Sequence, residues 1–302
     1  MKQYDAASLV VHPTPSSPDG LIVQVTPALA GWETISFQVR SLEPGQTFTH
    51  YTAENEAVIV LLSGTLAVEC AQNGSYRLGP RSGVFHSLPH TLYLPRSTRF
   101  TIRAESSSEF ALAEAPAKHS FPARVIPPEE VAVEIRGGDH ATRQIHRILP
   151  PGSPCDRLVV VEVLTPSGNW SSYPPHKHDA RKVDEAGRVI EADLDEIYYY
   201  KIDPPGGYAI QRVYTGADSP LQQAGKGFDA ALIVQHNDVV LVPEGYHPVS
   251  SPPGYTSYYL NILAGSDQSL AALDDPAFTW VKETYTSRDP RVPLFPVQKI
   301  SE

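Results

Sequence analysis

Pro174-Pro-His176-Lys-His178-Asp179 is the stretch on which the reading of this chain turns. On extended backbone, residues two apart project from the same face, so His176 and His178 can reach one metal while Lys177 faces away. A carboxylate follows at Glu196, opening the run Glu196-Ile-Tyr-Tyr-Tyr-Lys-Ile202, and a third imidazole at His247, in Pro243-Glu-Gly245-Tyr-His247. Three imidazoles and a carboxylate suit a divalent metal, with positions left for water or a bound molecule. Each piece alone has a plainer reading. With 11 histidines in the chain, a His-x-His pair is unremarkable; Glu196 alone is a solvated strand start and His247 a hydrogen-bonded turn residue. Specificity lies in the ordered set, all of it on strands.

Outward from this set the chain reads as strand after strand. Apolar or alternating runs occur at 21–25, 34–39, 57–70, 83–95, 98–104 and 109–115, and resume after a Pro-containing interruption at 157–164, 196–202, 208–215, 230–242 and 256–264. Turn formers separate them, among them Gly64, Asn73-Gly74, Pro204 to Gly207 and Asn237-Asp238. Short strands at this spacing predict an all-β sandwich or barrel. The one helical stretch expected is short and lies in the tail, between Asp267 and Trp280. The two halves repeat each other: Tyr93-Leu-Pro95-Arg-Ser-Thr-Arg99 parallels Leu241-Val-Pro243-Glu-Gly-Tyr-His247, and Glu56-Ala-Val-Ile-Val parallels Glu196-Ile-Tyr-Tyr-Tyr. The division expected is residues 1–125 for a first barrel and 126–302 for a second. Arg99 stands in the place of His247, and only His50 lies near the His-x-His position, so the first barrel is expected to carry no metal. His86 and His90 lack a third ligand and read as structural or substrate-edge residues. One metal per chain follows, in the second barrel.

Composition narrows the function classes. A chain of 302 residues with 41% apolar content, 20 Gly and 29 Pro can bury a large core and suits many strands joined by turns. The net charge of −10 argues against a nucleic-acid binder but leaves room for a small anionic substrate. Cys70 and Cys155 form no metal-ribbon or redox motif and read as buried thiols in a reducing compartment. No apolar run is long enough for a bilayer span and the N-terminus lacks a signal-peptide core, so a soluble cytoplasmic protein without membrane association is expected.

The ordered set His-x-His, Glu, then Pro-x-Gly-x-x-His is the cupin signature, whose last part stands here as Pro243-Glu-Gly245-Tyr-His247. The run Gly168-Asn-Trp170-Ser-Ser-Tyr-Pro-Pro-His176-Lys-His178-Asp, with Asp195-Glu-Ile-Tyr-Tyr-Tyr200, Gln211-Arg-Val-Tyr-Thr215, Val242-Pro-Glu-Gly-Tyr-His-Pro-Val249 and Pro253-Gly-Tyr-Thr-Ser-Tyr-Tyr-Leu-Asn261, resembles the bicupin 5-deoxy-glucuronate isomerase family. Leu92-Tyr-Leu-Pro95, Ala141-Thr-Arg-Gln-Ile145 and Pro290-Arg-Val-Pro293 extend the likeness to nearly the whole chain. The resemblance implies two tandem cupin (jelly-roll) β-barrels and an aldose–ketose isomerase of myo-inositol catabolism, which converts 5-deoxy-glucuronate to 5-dehydro-2-deoxy-gluconate. It also implies a metal on His176, His178, Glu196 and His247, zinc first, with manganese or iron as alternatives. This sequence departs from the generic cupin spacing: 17 residues separate His178 from Glu196. That charged insert, 180–195, is expected to be a loop, a lid over the site. Glu185, Glu191 or Asp195 could supply the carboxylate instead, but Glu196 directly precedes the Ile-Tyr-Tyr-Tyr strand.

Isomerisation needs a base, for which Tyr198 and Tyr258 are candidates beside a carboxylate, an imidazole or a metal-bound hydroxide. The carboxylate of a sugar acid needs a cation, and a guanidinium binds it with two parallel hydrogen bonds. Arg212 and Lys177 lead, with Arg143 third; Arg212 reads equally as a strand-edge surface charge. Asn261 is a candidate for a ligand hydroxyl, and Trp170 and Tyr214 for the pocket wall. A metal-dependent dioxygenase, a related uronate isomerase and a non-catalytic sugar-acid-binding bicupin are the competing readings. Exposed strand edges favour a homo-oligomer.

Overall fold

The structure, a computed structural model, describes residues 2–15, 17–297 and 300–301. Period-two alternation explains the architecture. In the long strand Asn55–Cys70, residues Ala57, Ile59 and Leu61 fill one apolar cluster with Leu92, Leu94, Phe100, Ile102, Phe110 and Leu112. Their neighbours Val58, Val60 and Leu62 face the other way, into a second cluster that also holds Ile197, Tyr199, Leu241, Tyr258, Leu260 and Ile262 from the second half. The strand is therefore buried on both faces, which is why its sequence reads as a continuous apolar run. The first cluster is the inside of the N-terminal barrel. The second is the seam where the two barrels pack back to back.

The N-terminal barrel is a nine-stranded antiparallel sheet whose backbone path runs 124–126, 91–94, 55–70, 108–116, 36–42, 21–25, closed by strands 47–51, 74–81 and 99–104. The C-terminal barrel repeats the plan, with the path 239–242, 189–203, 256–265, 159–165, 143–149, 132–136 on one side and a four-stranded sheet of 170–171, 249–250, 208–214 and 229–235 on the other. This is the bicupin architecture. Strand pairing crosses the expected division in two places: Val10–Val11 pairs with Val239 and Val240 of the second barrel, and Ile126 pairs with Thr91 of the first.

Buried polar groups lock the seam. The Glu56 carboxylate accepts backbone N–H bonds from Asp156 (2.7 Å), Arg157 (2.7 Å) and Leu158 (2.8 Å), and one from the Tyr93 hydroxyl (3.0 Å). Arg81 of the first barrel donates two parallel bonds to Glu162 of the second, at 2.8 and 3.0 Å, with both side chains fully buried. Tyr258 and His146 complete the shell around Glu162.

Several local expectations change. The run 83–95 contains only the strand Thr91–Leu94. Asn237-Asp238 splits the run 230–242 into strands Asp229–Gln235 and Val239–Val242. The tail holds a 3-10 helix at Thr279–Thr284, further on than the expected stretch. The insert is not a loop: Asp179–Val183 and the start of Val189–Asp203 form a β-hairpin. Its charges are paired, Lys182 with Glu191 and with Asp218 outside the hairpin, and Arg188 with Asp184. Cys70 and Cys155 are buried free thiols, and burial pushes their pKa values up to about 11 and about 12. Among the described residues no helix is long and apolar enough to cross a membrane.

Candidate metal centre

Inside the C-terminal barrel the same alternation turns Glu196, Tyr198 and Tyr200 inward. Glu196 pairs with Val242 on one side and Leu263 on the other, in the middle of the sheet, where its position is fixed. His178 sits where the hairpin begins; its Nδ1 lies 2.9 Å from the Leu194 carbonyl, whose residue returns an N–H to the His178 carbonyl at 3.0 Å. His247 follows the turn at Gly245. There φ is +103°, and a Cβ would lie 2.5 Å from the Tyr214 carbonyl oxygen, so only glycine fits. The Gly245 N–H donates to Asp179 (2.7 Å), and its carbonyl takes the Nδ1–H of His247 (2.7 Å).

Both rings thus spend Nδ1 on a backbone carbonyl and present Nε2 to the interior, the usual preparation of a histidine ligand. His178 Nε2 lies 3.0 Å from Glu196 Oε2, and His247 Nε2 3.3 Å from the same oxygen. The ligand atoms of His178, Glu196 and His247 all lie within 4.8 Å of one another. His247 Nε2 is buried without a hydrogen-bond partner. Burial alone would raise the Glu196 pKa, but the hydrogen bond with His178 and the charges of His247 and His178 outweigh it and hold the carboxyl at about 2. Burial would lower the pKa of His178, and Glu196 reverses this. A carboxylate and inward nitrogens at these distances need a positive charge among them. One divalent metal per chain fits this set, orphaned nitrogen included.

His176 stands beside the triad, its ring edge-on to His247 at 4.7 Å between centroids, and outside the tight group. Burial lowers its pKa well below the ordinary value, as do the neighbouring charges of His247 and His178, so the ring is neutral. His176 and Glu196 line a cavity of ≈510 Å³ together with Tyr198, Asn261 and Arg143. The other residues singled out in the sequence lie elsewhere. Lys177 is buried on the far face, its ammonium on Glu191 at 2.8 Å. Arg212 is on the exposed face of strand Tyr208–Tyr214, bonded to Asp229 and stacked on the Tyr214 ring. The Tyr214 hydroxyl is given to Asp275 at 2.7 Å. Tyr258 faces the seam and donates to Glu162 at 2.7 Å, so it is no base for this cavity. Trp170 borders an adjoining recess of ≈390 Å³. Asp195, facing opposite to Glu196, accepts from Thr34 at 2.5 Å. Burial raises the Asp195 pKa to about 7. Glu191 is paired to Lys177, which leaves Glu196 as the carboxylate of the centre.

Comparison with known proteins decides the family. Residues 9–281 match the KduI/IolB family. The chain belongs to that family. The 5-deoxy-glucuronate isomerase of Geobacillus thermodenitrificans is 44% identical over 88% of this chain and 93% of its own length. An IolB-like protein of Salmonella typhimurium LT2, solved by crystallography, superposes with a TM-score of 0.82 at 38% identity, covering 90% of this chain and 98% of that one. Mutants of Bacillus subtilis oxalate decarboxylase share the fold alone, one with a TM-score of 0.58 at 14% identity over 96% of this chain and 87% of that one. A KduI/IolB member with this triad is a metal-dependent sugar-acid isomerase.

Sequence reasoning misses one side of the cavity. Lys282 and Tyr285, from the C-terminal segment, line it, as do Arg136 and Arg147. Nothing periodic marks them. The doublet Gly137-Gly138 is the one available signal of a close approach.

Proposed function

We propose that this chain interconverts 5-deoxy-glucuronate and 5-dehydro-2-deoxy-gluconate in myo-inositol catabolism. The observation that carries the reading is the joint presence, on one cavity of ≈510 Å³, of Glu196 from the metal triad, the adjacent His176 and a buried arginine that has no carboxylate within ion-pair distance among the described residues. That volume suits a six-carbon sugar acid. In the reaction a proton leaves C2, beside the aldehyde, and one is delivered to C1 through an enediol. His178, Glu196 and His247, joined by His176, would hold the metal, zinc first and manganese or iron as alternatives. When bound, the metal supplies Lewis-acid stabilisation of negative charge on the two reacting oxygens.

The remaining work falls to the chain. Tyr198 is 1% exposed, its hydroxyl 3.3 Å from Ser172 Oγ, and burial reinforced by Glu196 keeps its pKa well above the ordinary value. The hydroxyl therefore stays protonated and serves as a hydrogen-bond donor to a sugar oxygen and not as the base. Asn261, whose amide makes only a long 3.4 Å bond to the Ile197 carbonyl, is available to a sugar hydroxyl. Arg143 receives the carboxylate. Val161, Val163 and Leu263 give the cavity dry walls, which strengthen each polar contact.

The test is turnover of 5-deoxy-glucuronate by the purified protein before and after chelation, with metal analysis of the same sample. About one metal per chain and ketose formation are expected, both lost in His176→Ala. Bound metal without isomerisation would keep the centre and sink the substrate.

A further inference from the structure

Arg143 is 7% exposed. A guanidinium carries five N–H donors, yet this one gives hydrogen bonds only to the carbonyls of Ala141 at 3.2 Å and Tyr173 at 3.4 Å. Among the described residues no carboxylate lies within ion-pair distance of it, whereas Arg136 pairs with Glu134 and Lys282 with Asp274. A second unsatisfied group belongs to a residue that lines the same cavity. The Tyr285 hydroxyl is buried and has no hydrogen-bond partner among the described residues. A buried donor left unpaired is costly, which makes the pair of them a place to look for an acceptor.

Two adjacent glycines let Arg143 and Tyr285 both approach the same turn. At Gly137, with φ +84°, a Cβ would lie 2.8 Å from Nη1 of Arg143; at Gly138 it would lie 2.5 Å from Cβ of Tyr285. The segment carrying Tyr285 is also fastened beside that turn. Asp139 accepts from the Thr286 N–H and hydroxyl, each at 3.0 Å, and from the Ser287 hydroxyl at 3.1 Å, and its own N–H donates to the Ser287 carbonyl at 2.7 Å. Further along, Asn169 Nδ2 donates to Asp289 at 3.0 Å, and the Leu294 N–H to Gln144 at 2.8 Å. The segment is a fixed wall of the cavity, and Tyr285 lies beyond residues 9–281 that match the family.

We propose that Tyr285 and Arg143 form one carboxylate subsite, in which the phenol O–H and the guanidinium bind the same carboxylate of the sugar acid and select it over neutral sugars. This rests on the cavity being a sugar-acid site, and it adds a residue that determines specificity. Because the Tyr285 hydroxyl has no partner in the structure, Tyr285→Phe removes nothing the fold uses.

The test is binding, read by NMR titration of the protein as purified with D-glucuronate and with D-xylose, the matching sugar without the carboxylate carbon. Wild type is expected to bind glucuronate more tightly than xylose. Tyr285→Phe should weaken glucuronate by about tenfold, the size of a lost hydrogen bond to a charged group, and leave xylose and Tm unchanged. Equal weakening of both sugars, unchanged glucuronate binding, or a wild type with no preference for the acid would each overturn the subsite. Failure of 5-deoxy-glucuronate turnover with the glucuronate result intact would instead sink the proposed reaction and leave the subsite standing.

Discussion

The two barrels share a register and differ in what that register points inward. Ala57 pairs with Leu94, one residue before Pro95; Glu196 pairs with Val242, one residue before Pro243. Ala57 is thus the counterpart of Glu196, and Glu56, which the sequence parallel sets against Glu196, is the counterpart of Asp195. Both Glu56 and Asp195 face away from their own barrel's interior, and Glu56 is used to bind the second barrel's backbone. At the place of His247 the first barrel has Arg99, exposed, with its guanidinium over the Tyr51 ring. One interior is closed by Ile59, Leu61, Phe100 and Phe110; the other keeps a polar cavity. A barrel needs only alternating burial, which many residues satisfy. A metal centre needs particular atoms on successive inward positions of several strands.

Exchanging the counterparts is the strongest way to break the comparison. Glu196→Gln is expected to lower isomerase turnover by roughly a thousandfold, the several kcal/mol of a lost metal, with metal content falling in the same sample. The reciprocal change, Ala57→Glu, should create no metal site. It buries a carboxylate with no partner among apolar side chains and should destabilise the fold by about 3–5 kcal/mol in denaturant titrations. A second equivalent of metal, bound in the first barrel of the Ala57→Glu variant, would show that this interior is closer to a functional site than its packing indicates.

How much of this was legible follows from the same contrast. Strand alternation carries the fold and the ordered ligand set carries the triad: His178, Glu196 and His247 are each unremarkable alone, and their order on successive strands and turns marks them. Which of the candidate cations lines the cavity could not be ranked from the sequence, because that selection is tertiary. Arg212 sits on a strand beside aromatic residues much as a ligand would, and nothing in the sequence shows that Asp229, across the hairpin, takes its charge. Arg143 is distinguished only by partners it lacks. The one-residue error at Glu56 arises because two adjacent positions both bury, on opposite faces.

The seam offers a smaller perturbation that separates the barrels energetically. Arg81→Met leaves Glu162 buried beside His146 and Tyr258 without its guanidinium, and a stability loss of about 3 kcal/mol is expected. Burial raises the Glu162 pKa, but Arg81 and His146 outweigh it and hold the group near about 2, below its ordinary 4.5. The folded state therefore binds this proton more weakly than the unfolded chain. The stabilisation is present above pH 4.5 and is lost as the pH falls from there toward 2. Unfolding of wild type across that window should show this slope, and Glu162→Gln should flatten it. Equal slopes would mean that other carboxylates govern acid unfolding.

The smallest effect expected is the one that most directly separates surface from site. Arg212→Ala removes a guanidinium bonded to Asp229 and stacked on Tyr214, with the Arg212 and Asp229 side chains 42% and 59% exposed. An exposed pair of this kind contributes about 0–1 kcal/mol, so Tm should barely move. Since Arg212 lies off the cavity, KM for the sugar acid should stay within about twofold of wild type, a difference below about 0.5 kcal/mol. A tenfold rise in KM would require the strand Tyr208–Tyr214 to present its outer face to substrate. That would place recognition on the very face whose charges the structure shows already paired.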